Sequence, residues 1–245
     1  MHRFFLTENF QDTMKISGQD GHHISHVLRM KLGDELQIVS LDQVSALMKI
    51  TDFSEDTVTV QLLEKITQAH EPTVKLILAQ GLPKGDKLEL VVQKAVELGA
   101  AEICPTSMHN CVVKVDPTKS AKKTARLQKI AEEAAKQSKR DIIPVVKEPT
   151  NFKNMLAQYA AVDLKLVAYE VEDKQGLKSV LENNPQAKSI LLLIGPEGGI
   201  TKEEWLLAQE AGFHSVSLGT RILRTETAGI AGLAAILYAT GNFGG

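Results

Sequence analysis

The apolar positions of this chain change period along its length, and the change divides it near Gln68 to Pro72. Before that point, Glu35 to Leu41, Val44 to Ile50 and Thr57 to Leu63 alternate apolar and polar residues. Period two predicts half-buried strands, and the Asp-rich and Gly-Asp turns between them predict a small antiparallel barrel or sheet. One helical stretch interrupts it, Gly21 to Met30, where Ile24, Val27 and Leu28 fall at i, i+3 and i+4.

After the break the period lengthens. Val74 to Ala79 reads as a buried strand, and Asp86 to Leu98 follows with Leu88, Val91, Val92, Ala95 and Val96 on one helical face, ended by Gly99. Strands and helices then alternate through Glu102 to Thr106, Ala121 to Lys139, Val162 to Tyr169, Leu177 to Glu182, Ser189 to Ile194, Lys202 to Ala211 and Ser215 to Leu218. That alternation predicts an α/β domain with a parallel sheet. The last helix, Thr225 to Tyr238, is built almost wholly of small and aliphatic residues. With no polar face it is expected to be buried on all sides, either centrally or at a subunit interface.

Composition narrows the class. The chain has 245 residues, 43% hydrophobic and 24% charged, with a formal charge of −2. These are ordinary values for a globular protein of two domains. No apolar run approaches the roughly 18 residues that span a bilayer, and Glu8 interrupts the start too early for a signal peptide, so a cytoplasmic protein without a membrane partner is expected. Cys104 and Cys111 are too few for a disulfide framework and read as packing residues. Charge is unevenly spread: Lys114 to Arg140 holds nine basic residues against three acidic ones. This segment is either a phosphate-facing surface or a solvated helix face.

Two segments near the end carry the chemistry. Ile194-Gly195-Pro196-Glu197-Gly198-Gly199 and Ser217-Leu218-Gly219-Thr220-Arg221-Ile222-Leu223-Arg224-Thr225-Glu226-Thr227-Ala228-Gly229 each follow an apolar strand and lead into a helix. Ligands of open α/β sheets bind at such carboxyl ends. In the first loop, glycines and a proline leave the backbone open to a ligand, and Thr201 with Glu204 forms a capping-box signature. Both a P-loop ending and a dinucleotide fingerprint are absent, which disfavours phosphate and leaves a plain Gly-rich connection as the alternative. In the second, Ile222 and Leu223 offer apolar walls, and Arg224 and Glu226 precede a buried helix. Two backbone-rich loops with apolar walls suit a flat heteroaromatic ligand such as adenine.

The joint pattern resembles the RsmE family of 16S ribosomal RNA uridine-N3 methyltransferases, within the SPOUT superfamily. Besides the two loops it includes His22 to Asp34, Leu82-Pro83-Lys84-Gly85-Asp86-Lys87, Gln93 to Gly99 and Gln137-Ser138-Lys139-Arg140. The resemblance implies an N-terminal PUA-like β-barrel over 1–70 and a SPOUT methyltransferase domain over 73–245 whose last segments thread a trefoil knot. It also implies a homodimer acting on 16S rRNA of the small ribosomal subunit, with S-adenosylmethionine as methyl donor. A different RNA target or position, or an RNA-binding module without catalysis, are the competing readings.

Under this resemblance the donor is held by the main chain of Gly195, Leu218 and Leu223. Ile194, Pro196, Gly199, Gly219, Ile222 and Thr225 line its site, with Tyr169 at a neighbouring strand end. Removing the N3 proton of uracil leaves negative charge on O2 and O4, which calls for an arginine and a carboxylate. Arg224 is the candidate for stabilising that anion and Glu226 for orienting it or acting as base, an internal Arg224–Glu226 ion pair being the structural alternative. Arg140 is a second arginine candidate. His22, Arg29, Lys31, Lys84, Lys114, Lys122, Lys123 and Arg126 are expected to face RNA. His22 and His26 stand one helical turn apart, as zinc ligands can, but no acidic or cysteine partner is evident beside them, and no metal is expected.

Overall fold

The computed structural model describes residues 1–67, 70–113, 117–169 and 176–244. Lys114 lies outside them. The backbone divides into two units, 1–71 with 135–143, and 72–134 with 144–245.

In the first unit, β1 (Arg3–Phe5), β2 (Thr13–Ile16), β3 (Glu35–Val39), β4 (Ser45–Ser54) and β5 (Thr57–Lys65) form a sheet in the order β1-β3-β4-β5-β2. Period-two alternation places Leu36 and Ile38, Ala46, Met48 and Ile50, and Val58 and Val60 in one core. The sheet is mixed rather than antiparallel, because Arg3–Phe5, too short to show a period, runs parallel to β3. Among the described residues no pairing joins β1 to β2, so the expected barrel is not closed by strand pairing. The expected helix at Gly21 to Met30 is α1 (Gly18–His22) running into a π-helical turn, His23–Val27, closed by Leu28 N donating to His23 O at 2.9 Å.

Residues 135–143 join this unit through buried charge. The Arg3 side chain, 1% exposed, pairs with Asp141, and its Nη1 donates to Lys139 O at 2.9 Å. Asp141 also accepts from Ser45 Oγ at 2.6 Å and His70 N at 2.8 Å. Arg140 Nη2 donates to Glu71 Oε2 at 2.5 Å. Burial pushes the Asp141 carboxyl up, but the Ser45 hydroxyl, the His70 amide and Arg3 outweigh it and hold the group below the usual carboxylate range.

In the second unit, β6 (Lys75–Gly81), β7 (Glu102–Ser107), β8 (Val145–Val146), β9 (Thr150–Asn151), β10 (Leu164–Ala168), β11 (Ser189–Ile194) and β12 (Phe213–Val216) form a sheet in which every pairing is parallel. The order is β12-β10-β11-β6-β7-β8, with β9 also beside β7. Buried on both faces, β6 and β11 read as continuous apolar runs, Leu76 to Ala79 and Ile190 to Ile194. The helices are α2 (Lys87–Glu97), α3 (Pro117–Gln137), α4 (Phe152–Gln158), α5 (Leu177–Glu182), α6 (Lys202–Glu210) and α7 (Thr225–Ala239). The pairs β8 and β9 and the short α4 have no sequence signature long enough to show a period.

Within one chain, α7 is enclosed on one face only. Its inner face buries Thr225, Ala228, Gly229, Gly232, Leu233, Ile236 and Leu237, whereas Thr227, Ala231, Ala235 and Tyr238 are exposed. The helix is therefore not central in its own chain, and of the two alternatives the subunit interface is the one left standing.

The buried Arg3–Asp141 pair gives the first prediction. Asp141→Ala leaves Arg3 buried without its counter-charge and is expected to cost about 3–5 kcal/mol in denaturant unfolding. In the wild-type chain the depressed carboxyl contributes stability at neutral pH that is lost as the solution is acidified below about pH 4. Acid titration of unfolding should show a smaller loss over that interval in the variant.

Candidate active site

The parallel sheet ends on one side in three loops, and a cavity of about 450 Å³ opens there. Ala168 and Tyr169 border it from the end of β10, Ile194 to Glu197 with Gly199 and Ile200 from the end of β11 and the loop after it, and Val216, Leu218, Arg221 to Thr225 and Ala228 from the end of β12 to the first turn of α7. The position obeys the rule for open α/β sheets. The volume is in the range of small-molecule sites, and the walls combine Ile194, Leu218, Ile222, Leu223 and Ala228 with main-chain groups of glycine-rich turns.

Sequence dictates how the loops are held. Gly81 ends β6, where a Cβ would come within 2.5 Å of Pro196 N and 2.8 Å of Gly195 C, so only glycine admits the loop this close. Next to it Gln80, fully buried, donates from Nε2 to Thr225 Oγ1 at 2.7 Å, and Thr225 Oγ1 donates to Gly195 O at 2.6 Å. This chain ties the start of α7 to β6 and to the loop after β11. Asn110 Nδ2 donates to Gly198 O at 2.8 Å and holds the loop from the other side. The capping box is present: Glu204 N donates to Thr201 Oγ1 and Thr201 N to Glu204 Oε2, and His109 N donates to Glu204 Oε1 at 2.8 Å. Tyr169 stacks on Trp205, ring centroids 5.4 Å apart.

Charge at the rim centres on Lys87 at the start of α2. Its Nζ lies 3.0 Å from Glu197 Oε1 and 3.4 Å from Glu226 Oε2. Burial pushes the Glu197 carboxyl up, but its own amide, the Lys84 amide and Lys87 hold it below the usual range. The hydrogen bond to Glu197 in turn raises Lys87, against partial desolvation. Glu226 Oε2 is buried and has no hydrogen-bond donor of good geometry among the described residues, so Lys87 serves it as a counter-charge.

The predicted donor residues Tyr169, Ile194, Gly195, Pro196, Gly199, Leu218, Ile222, Leu223 and Thr225 all line the cavity, as does Arg224. Gly219 is absent from the lining, although it lies next to Leu218 at a φ of 112°. Glu226 does not line it either, and its charged neighbour is Lys87 rather than Arg224. Arg140 belongs to the first unit, is 3% exposed, and is engaged by Glu71. Sequence reasoning missed Gln80, Lys87 and Asn110. Lys87 stands in a quoted motif, but nothing in its spacing announced that it would meet two carboxylates more than a hundred residues away.

Of the predicted RNA-facing residues, His22, Arg29 and Lys31 are exposed in the first unit, and Lys84, Lys122, Lys123 and Arg126 in the second. The basic segment is partly neutralised. Arg126 pairs with Glu89 at 2.9 Å and Lys136 with Asp20 at 3.2 Å.

A parallel α/β unit with a ligand cavity at its strand ends serves many activities, and here the family models make the class that of an RNA methyltransferase. A family model for the RNA methyltransferase domain matches residues 70–237, and one for the RNA methyltransferase PUA domain matches residues 16–63. The chain is 39% identical to ribosomal RNA small subunit methyltransferase E of Bacillus subtilis, over 98% of this chain and 97% of that one. It is 32% identical to the protein of the same name from Mesomycoplasma hyopneumoniae, over 94% and 96%. Among solved structures it resembles ribosomal RNA small subunit methyltransferase E from Neisseria gonorrhoeae bound to S-adenosyl methionine, with a TM-score of 0.85 and 29% identity over 97% of each chain. The chain therefore belongs to the ribosomal RNA small subunit methyltransferase E family.

The hydrogen-bond chain at the cavity wall is testable. Thr225→Val keeps the shape of the side chain but leaves Gln80 Nε2 and Gly195 O each one partner short. A loss of about 1–3 kcal/mol in chemical denaturation is expected, and an unchanged midpoint would contradict the role assigned to Thr225.

Proposed function

We propose that this chain transfers a methyl group from S-adenosylmethionine to N3 of a uridine in the 16S rRNA of the small ribosomal subunit. The observation that carries the reading is the cavity at the strand ends, where open backbone, apolar walls and two exposed arginines, Arg221 and Arg224, meet in a chain of this family. Its main-chain groups at Gly195, Leu218 and Leu223 suit the edge of an adenine, and Ile194, Ile222 and Ala228 suit its faces. The family member from Neisseria gonorrhoeae, solved with S-adenosyl methionine, supports the same ligand.

When bound, the donor supplies a methyl group on a positively charged sulfur. The chain's own residues deal with the acceptor. Uracil N3 gives up its proton to solvent at the open cavity, and Arg224 stabilises from the rim the negative charge left on O2 and O4; as N3 takes the methyl group the carbon–sulfur bond breaks and S-adenosylhomocysteine leaves. Glu226 is assigned an orienting role. It does not line the cavity, and its charged neighbour is Lys87 at 3.4 Å, which places it to hold the start of α7 rather than to meet the base. Arg140, buried against Glu71, is given no part in the transfer.

The same reading includes a trefoil knot in the last segments, a rare exception to the usual connection rules. What supports it is that β10 lies between β11 and β12, while α7 returns to pack on β6 and β11. It also includes a homodimer in the cytoplasm. The exposed small-residue face of α7, Thr227, Ala231 and Ala235, would permit close approach of a second copy. No helix among the described residues is long and apolar enough to cross a membrane.

Small ribosomal subunits from a strain lacking the modification, incubated with labelled donor and then digested, should yield label at uridine N3. Label at another base or on ribose would point to a different target, and donor binding without transfer would reject the enzymatic reading. Arg224→Ala should lower the single-turnover rate by about 10²–10³-fold, the scale of losing one anion-stabilising group, with little change in donor affinity.

A further inference from the structure

The N-terminal helix and the β4–β5 hairpin bring together a set of donors that the sequence keeps thirty residues apart. His22 and His26 stand one turn apart on the exposed side of α1 and its π-helical continuation, their rings stacked with centroids 4.4 Å apart and an interplanar angle of 18°. The hairpin tip is Glu55-Asp56, with Glu55 in the left-handed region at a φ of 52°. Gly21 lets that tip rest directly on the helix. A Cβ there would fall 2.0 Å from the Asp56 carbonyl oxygen, so no other residue permits the approach.

The approach delivers the Asp56 carboxylate to the histidines. Its Oδ1 lies 3.6 Å from His26 Nδ1, and one ligand atom from each of His22, His26 and Asp56 falls within 4.8 Å of the others. This supplies the acidic partner that could not be seen beside the histidines in the sequence.

We propose that His22, His26 and Asp56 form a site for one divalent transition-metal ion of the zinc class. Two imidazole nitrogens and one carboxylate oxygen are a donor set of three-ligand zinc sites, which keep a fourth position open to water. Imidazole donors favour zinc, nickel, copper or cobalt over magnesium or calcium, whose preferred ligands are oxygens. All three side chains are exposed, so an ion reaches them from solution without opening the fold. The π-turn adds to the case, since such turns recur at functional sites. The site lies within the first unit and is independent of the methyl-transfer reading.

The test uses the untagged full-length protein after chelator treatment, titrated with zinc chloride by calorimetry and with cobalt(II) by visible absorption. One ion per chain is expected, with a cobalt ligand-field band. His22→Ala, His26→Ala and Asp56→Asn should each weaken binding by about tenfold or more, the lower end of what even an outer-sphere partner contributes. His22→Gln and His26→Gln replace the alanine variants if those fail to fold, and circular dichroism checks each protein. No saturable binding by the wild-type chain would reduce the cluster to a surface ion pair beside two stacked rings and overturn the proposal. Binding that survives any one of the three substitutions would place the ion elsewhere and overturn it equally.

Discussion

The hydrogen-bond chain from Gln80 through Thr225 to Gly195 is the constraint on which the second unit depends. Hydrophobic burial draws α7 onto β6 and β11, but burial is non-directional, and a helix of alanine, glycine, leucine and isoleucine has many nearly equivalent ways to lie on a sheet. Directional bonds between polar groups remove that freedom, because a shift by one residue would cost Gln80 and Gly195 the partner they share in Thr225. Fixing the first residue of α7 also fixes the loop before it. The cavity wall at Ile222 to Thr225 is therefore set from inside the sheet, not from the solvent side where the ligand arrives.

Lys87 plays a different part. Partly solvated ion pairs contribute little to stability, typically up to about 1 kcal/mol, so its two carboxylate partners are not there to hold the fold together. Glu197 comes from one loop and Glu226 from the start of α7, and a single cation between them makes the two segments neighbours in charge as well as in space. The consequence is selective: both carboxylates near the rim face the one lysine, while Arg224 is left without an ion-pair partner among the described residues. An unbalanced guanidinium beside an apolar cavity is suited to an acceptor that becomes negative.

The parts of this architecture written in periodicity were legible before any coordinate. Leu76 to Ala79 and Ile190 to Ile194 announce buried parallel strands, Thr201 and Glu204 announce a helix start, and the two glycine-rich turns announce most of the cavity lining. What could not be read has one common cause, which is that it depends on residues distant in sequence. The parallel partnership of Arg3–Phe5 with β3, the burial of Arg140 against Glu71, and the position of Asp56 beside His26 are all decided by tertiary contact. Burial of α7 is of the same kind: its apolar sequence marks a helix that can be enclosed, contacts decide which face is, and within one chain only the inner face is covered.

The arginine at position 3 has a consequence for how the molecule is made. Its side chain is almost wholly enclosed, and the carboxylate that neutralises it is contributed by Asp141. On a ribosome adding about 5–20 residues per second, the strands of the N-terminal module emerge many seconds before that counter-charge does. Until then the module can form only with Arg3 left in water, because enclosing a lone cation is strongly unfavourable. The strands can pair in the order they are made, but the surroundings of Arg3 are completed late. The amino-terminal module is finished by a stretch of chain, 135–143, that is synthesised after part of the other unit.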